Sequence, residues 1–294
     1  LDLNLNFKDF ILNPLNPFGG GVITNIRGKV SGFSKISGRL EKPQINGELR
    51  LDSGGISIPY LNIDYAFDDK TGVKLEGQSF VFEAAKIKDT KFLSKGILNG
   101  KMNHVNLKNW SLDTTIDSDR LLVLNTSETE ESLYYGTGFV SGNIDISGPV
   151  NQLFIEANVI TSKGTIFKIP LNDSEMITEN SYVKFLSPEE KSQKAVDRAI
   201  KLDDIKGVEM EFNMDITDDA EIEIVIDKET GSSIVGRGNG SILAQINTND
   251  KFQMFGDFLV LSGYYNYSLG KLIKKKFKLV KDGSLLWEGN PLQA

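Results

Sequence analysis

Few side chains in this sequence could do reaction chemistry, and their spacing limits them further. His104 is the single histidine, and cysteine is absent. One imidazole without a cysteine, a second histidine or an acidic ligand pattern makes no metal site, and no Ser/His/Asp order closes around it. It is expected to have a structural role beside a bend. The acid pairs Asp203-Asp204 and Asp218-Asp219 read as solvated charge at turns rather than as a glycosidase pair. No glycine loop has phosphate-cradling spacing. The chain is therefore read as non-enzymatic and without a cofactor. The strongest pattern is apolar: Val208, Met210, Phe212, Met214 and Ile216 alternate with Glu209, Glu211, Asn213, Asp215 and Thr217. After Asp218-Asp219 the pattern resumes with Ile222, Ile224 and Ile226. Period two sends one set to an apolar face and the other to water.

The elements that must carry such faces are strands. With 28 glycines and 8 prolines in 294 residues, and no long helical periodicity, the composition points to an all-β chain large enough for a substantial core. No run has the 18 or so apolar residues of a membrane helix. No leader pattern is present and position 1 is Leu, so the chain is read as a segment of something longer. A net charge of −7 argues against a nucleic-acid partner, which needs a basic footprint. The absence of cysteine rules out a disulfide framework.

Glycines punctuate the chain in a repeating way. Gly28, Gly32, Gly38, Gly47 and Gly54 return about 110 residues later as Gly138, Gly142, Gly148, Ala157 and Gly164, and a partial third copy spans Gly236–Gly263. Gly47 to Gly54, Ala157 to Gly164 and Gly256 to Gly263 are each seven apart. Hairpins with glycine at their bends and a long sheet extended by repetition both fit this pattern. Pro17–Gly21 reads as a flexible joint. Residues 171–207 form an insertion, with a short helix starting at Ser187-Pro188-Glu189-Glu190. Near the end, Ser262-Gly263 and Lys281-Asp282-Gly283 read as breaks between neighbouring strands of hairpins. Lys274-Lys275-Lys276 is either a solvated hairpin end or a site of attraction to anionic headgroups. By themselves the apolar faces fit a sandwich core. A transmembrane barrel ranks lower, because paired aromatic girdles are missing.

The stretch Phe252–Pro291 also carries a resemblance. Gly256, Gly263, Tyr265, Tyr267, Phe277, Gly283-Ser284 and Trp287-Glu288-Gly289-Asn290-Pro291 closely resemble the C-terminal domain of the TamB family, the large subunit of the translocation and assembly module. Phe80, Phe82, Asp89, Gly96, Gly100, His104 and Leu121–Thr126 resemble further family phrases in the same order. The resemblance spans 22–294, with 186–206 the main departure. It implies an elongated, curled, antiparallel-rich sheet forming an open trough with an apolar interior. The expected divisions are 1–21, 22–170, 171–207 and 208–294.

The same resemblance implies a periplasmic protein anchored in the inner membrane. Its partners would be phospholipid, an outer-membrane Omp85-type barrel (TamA or a relative) and nascent outer-membrane proteins. Val208, Met210, Phe212, Met214, Ile216, Ile222, Ile224 and Ile226 become the expected groove lining. Gly256, Gly263, Tyr265, Tyr267, Phe277, Trp287, Gly289 and Pro291 become the expected barrel-docking or C-terminal motif. An apolar lining suits acyl chains, since each CH₂ left in water costs about 0.8 kcal/mol, and methionine adapts to variable shapes. Met210→Asp or Phe212→Asp is expected to damage function while the fold survives, as an open trough is not a packed core. The rival role is strand capture at an open sheet edge by an assembly factor.

Overall fold

Gln152–Thr161 shows the local rule that builds this protein: Leu153, Ile155, Ala157, Val159 and Thr161 are buried and the residues between them are not. Alternation of that kind fits a pleated strand with one face on a core. The computed structural model describes residues 2–39, 41–129, 132–171, 207–248, 251–269 and 273–291, which form one sheet of 17 strands.

The first strands are β1 (Asp2–Ile11), β2 (Thr24–Arg39), β3 (Lys42–Ile58), β4 (Ile63–Phe67), β5 (Thr71–Gly77) and β6 (Ser79–Asp89). Then follow β7 (Lys95–Val105), β8 (Lys108–Thr126), β9 (Tyr135–Pro149), β10 (Gln152–Thr161) and β11 (Ile166–Pro170). The last are β12 (Gly207–Ile216), β13 (Glu221–Asp227), β14 (Ser232–Asn247), β15 (Phe252–Leu269), β16 (Ile273–Lys278) and β17 (Ser284–Gly289). Pairing follows chain order. Four ribbon positions are shared by two short strands in succession: β4 with β5, β10 with β11, β12 with β13, and β16 with β17. All pairs are antiparallel except β10–β12 and β11–β13. A parallel pair cannot be closed by a hairpin and needs a crossover of about a dozen residues or more, which the length of 172–206 supplies. The expected helix at Ser187, and Asp203-Asp204, lie outside the described residues.

The sheet is open, with no pairing between β1 and β16 or β17 among the described residues, but it is curled. Tyr134, just before β9, has its ring 5.1 Å from that of Phe252 on β15, although β9 and β15 are not neighbours in the sheet. One large core fills the curl, running from Ile63 and Tyr65 through Leu121 and Met210 to Trp287. A smaller cluster of Val30, Leu51 and Val73 lies under β2, β3 and β5. The all-β, elongated and curled fold expected from the sequence is the fold observed.

The glycine repeat is a repeat of register. Gly32 faces Leu49, Ser34 faces Gly47 and Ile36 faces Ile45 on β2–β3. Gly142, Ile144 and Ile146 face Val159, Ala157 and Ile155 on β9–β10. Gly240, Ile242 and Ala244 face Phe258, Gly256 and Met254 on β14–β15. The three copies are one hairpin used three times, with equivalent partners 17 residues apart at Gly32–Leu49 and Gly142–Val159 and 18 apart at Gly240–Phe258.

Three local expectations need correction. Ser262-Gly263 is not a turn. β15 runs straight through it, with a register shift beside Leu261. Glycine is needed at 263 because a Cβ there would lie 2.3 Å from the carbonyl oxygen of Val235, so the constraint is close strand approach rather than chain reversal. The turn at Lys281-Asp282-Gly283 exists, with Asp282 at φ 69°, but it makes no hairpin. β16 and β17 both pair with β15, at successive stretches. Pro17–Gly21 is not a loose joint either. Asn13–Gly19 is a 3-10 turn, and Asn16 pins it by accepting from the Ile26 N–H (2.7 Å) and donating to the Ile26 carbonyl (3.0 Å).

Candidate functional site

The curl encloses a cavity of about 100 Å³ between the β8–β11 half of the sheet and the β12–β15 half. Its wall is hydrocarbon. Val140, Phe167 and Ile169 face Met210, Ile242 and Met254, and the loop residues Leu61 and Tyr134 close one side. The polar residues on the wall are engaged. The Thr165 hydroxyl donates to the Phe139 carbonyl (2.8 Å), Thr161 accepts from the Thr217 N–H (3.0 Å), and the Glu221 carboxylate accepts from Arg237 (3.0 Å). The Tyr134 hydroxyl donates to that of Tyr60 (3.1 Å). Burial, with the neighbouring Tyr60, raises the Tyr134 phenol well above its ordinary range, so it stays neutral. Tyr135 is pushed up to about 12, by burial first and then by Glu128. The space offers dispersion contacts and no free charge. At this size it is smaller than the ~300–1,000 Å³ of a small-molecule site.

The cavity face continues beyond the cavity. Ile169 pairs with Ile224, Ile224 with Ile234, Ile234 with Tyr265, and Tyr265 with Phe277. Directly paired residues share a face, so these five side chains form one line across β11, β13, β14, β15 and β16. Exposure rises along it. Ile169 is 1% exposed, Ile224, Ile234 and Tyr265 are half-buried, and Phe277 is 50% exposed. The groove is thus closed and packed at one end and open at the sheet edge. Aromatic contacts mark the open end: Tyr265 stacks on Phe277 at 6.2 Å and meets Tyr267 edge-on at 6.0 Å.

The eight residues expected to line a groove divide accordingly. Met210, Phe212, Met214, Ile216 and Ile222 line the cavity. Val208 belongs to the same core but not to the cavity wall. Ile224 continues the line outward. Ile226 is the extra residue of a β-bulge between Val225 and Asp227 and has no residue opposite it on β14. Val225, assigned to the water face by spacing, precedes that bulge and pairs in regular register with Pro170 and Ser233 on the face opposite Ile224, yet it is buried there. The expectation that Met210→Asp spares the fold fails on packing, since Met210 is 1% exposed. The spacing argument also missed Tyr134, Phe167 and Ile169 on the far wall, and Ile242 and Met254 on the same side as Met210. Ile242, Ala244 and Ile246 do carry a period-two signal; Tyr134 carries none.

The C-terminal motif separates into two groups. Trp287 is 1% exposed and lies opposite Gly256, and its indole Nε1–H donates to the Pro291 carbonyl (3.1 Å). Gly256 has φ 128°, and a Cβ there would stand 2.0 Å from the Ser241 oxygen. Gly289 faces Met254 and Gly263 faces Gly236. These residues close the end of the core. Tyr265, Tyr267 and Phe277 form the open aromatic face instead. His104 ends β7, where its Nδ1 accepts the Leu107 N–H (3.1 Å) at the turn into β8, and its ring packs 4.9 Å from Trp110. Asp218 and Asp219 are exposed at the turn between β12 and β13.

The family model described as TamB C-terminal domain matches residues 87–294. The chain belongs to that family, which is associated with outer-membrane biogenesis in the bacterial envelope and is not known as an enzyme family. The match begins at β6, so residues 22–86, included in the resemblance read from the sequence, lie outside it. A search of curated proteins found no match, and neither did a search of solved structures.

Proposed function

We propose that this TamB-family chain is a segment of a periplasmic lipid conduit that delivers phospholipid toward the outer membrane together with an Omp85-type barrel. The observation that carries the reading is the apolar line from Ile169 to Phe277, which leads from a cavity without free polar groups to an open sheet edge. A phospholipid needs its acyl chains covered and its headgroup wet. A sheet with one apolar concave face, open along one side, supplies both, at about 0.8 kcal/mol per CH₂ removed from water. At about 100 Å³ the cavity is a contracted state of the conduit, and the halves of the curl must part to admit a chain. Such parting breaks side-chain contacts across the groove and leaves strand pairing intact.

A second reading is favoured by one feature. β16 and β17 pair only with β15, so their outer backbone groups are free of strand partners among the described residues. Such an edge can accept another strand, as an assembly factor for outer-membrane proteins would require.

Photo-crosslinking in cells separates the two. The crosslinker is placed at Ile224, Ile234 and Tyr265 on the groove face, and at the exposed Asn213 and Asp215 on the opposite face. Phosphate-labelled adducts from the groove positions alone support the conduit. Discrete protein adducts without lipid support strand capture. Equal labelling on both faces, or none at any position, refutes the groove reading.

A further inference from the structure

Residues 264–281 contain six lysines and no acidic residue, in a chain of net charge −7. The strand pairing sorts this stretch into two faces. Leu269–Ile273, Tyr267–Lys275 and Tyr265–Phe277 are paired on one face, while Ser268–Lys274, Asn266–Lys276 and Tyr264–Lys278 are paired on the other. Apart from Lys275, the first face is apolar and aromatic, and it lies open, with Leu269 56%, Ile273 47% and Phe277 50% exposed. On the second, Lys276 Nζ stands 3.3 Å above the Tyr264 ring, which holds the ammonium group against the strand. The turn between β13 and β14 carries two acids, Asp227 and Glu229, against six lysines in 264–281.

We propose that the β15–β16 ribbon is a docking element for an anionic bilayer surface. It lies flat in the interface, with Leu269, Ile273 and Phe277 in the acyl boundary and Lys274, Lys276 and Lys278 among the lipid phosphates. The physics is that of an interfacial amphipathic helix, transferred to a two-stranded ribbon. Tyrosine suits the position because its ring is apolar and its hydroxyl stays wet. The lysine face and the exposed Leu269, Ile273 and Phe277 face together match an anionic bilayer, which offers phosphates and an acyl boundary side by side, whereas the acidic surface of a second copy would complement the lysines alone. The proposal is independent of what the groove carries.

The test is flotation of the whole 294-residue chain with vesicles of phosphatidylcholine, with and without phosphatidylglycerol. Lys274→Gln, Lys276→Gln and Lys278→Gln are combined in one variant. All three are exposed, so an unchanged urea midpoint confirms that the fold is retained. Binding is expected only with phosphatidylglycerol, to weaken with salt, and to fall about a hundredfold in the triple variant. In a separate Phe277→Trp chain, indole emission should shift to the blue on these vesicles and be quenched by lipids with brominated chains. Undiminished binding by the triple variant overturns the proposal, as does unquenched Phe277→Trp emission on bound protein. Self-association lost in the same variants, with no vesicle binding, assigns the face to a second copy instead.

Discussion

An aspartate placed in turn at Ile169, Ile234 and Phe277 tests whether the groove is closed at one end and open at the other. The three positions lie on one line across the sheet, so the face is matched and burial is what changes from the interior strand to the edge. At Ile169, 1% exposed, the substitution forfeits about 1.5–3 kcal/mol of side-chain burial. The new carboxyl must also stay protonated in hydrocarbon. Holding it so at neutral pH, roughly three units above an ordinary aspartate pKa, costs about 4 kcal/mol. The sum, about 6 kcal/mol, is comparable with the ~5–15 kcal/mol that holds a domain together. At Phe277, 50% exposed, the carboxylate reaches water and the loss is about 1 kcal/mol or less. Ile234, half-buried, falls between. Urea unfolding followed by tryptophan emission reads the difference: the midpoint should drop by about 2 M or more for Ile169→Asp and hardly move for Phe277→Asp. The Ile169→Asp penalty should shrink toward pH 4, where the unfolded chain also carries the proton. Equal midpoints for the two end variants, or a penalty unchanged by pH, would refute a graded groove.

Gly256→Ala should cost about 2 kcal/mol or more, from positive φ and the 2.0 Å approach to the Ser241 oxygen. Gly72→Ala, with nothing within 4 Å, should be neutral or slightly stabilising in the same thermal melts. Trp287→Ala should lose about 3–5 kcal/mol by emptying the space over Gly256. Trp287→Phe, which keeps a ring but drops the bond to Pro291, should lose nearer 1 kcal/mol beyond its repacking, read by urea midpoint. Burial holds the His104 pKa below its usual 6.5. As pH falls below about 6.5 the unfolded chain takes up the proton first, so stability declines until the folded value is reached. His104→Gln should remove that decline, and an identical pH profile would show that the group responsible is another.

Much of the fold is written in short-range pattern. Alternation in Val208–Ile216 and in Gln152–Thr161 specifies strands, because successive side chains leave a pleated chain on opposite sides whatever lies beside it. The glycine spacing marks three hairpins of one register, since a strand crossing within 2–3 Å of a neighbour's carbonyl oxygen has no room for a Cβ. The aromatic and glycine phrases of Phe252–Pro291 are sufficient to indicate the family. Tertiary structure decided the rest. Which strands meet across the curl is a long-range matter, so Tyr134, in a loop with no periodicity, becomes part of the cavity wall. The bulge at Ile226 reverses the faces of the residues that follow it, which no count by twos can foresee. Trp287 and Phe277 look alike in the sequence as motif aromatics, yet one is sealed over Gly256 and the other stands on an open edge. Both lie on strands that pair only with β15, so burial depends on what the curl lays over each face, and only the assembled sheet sets that.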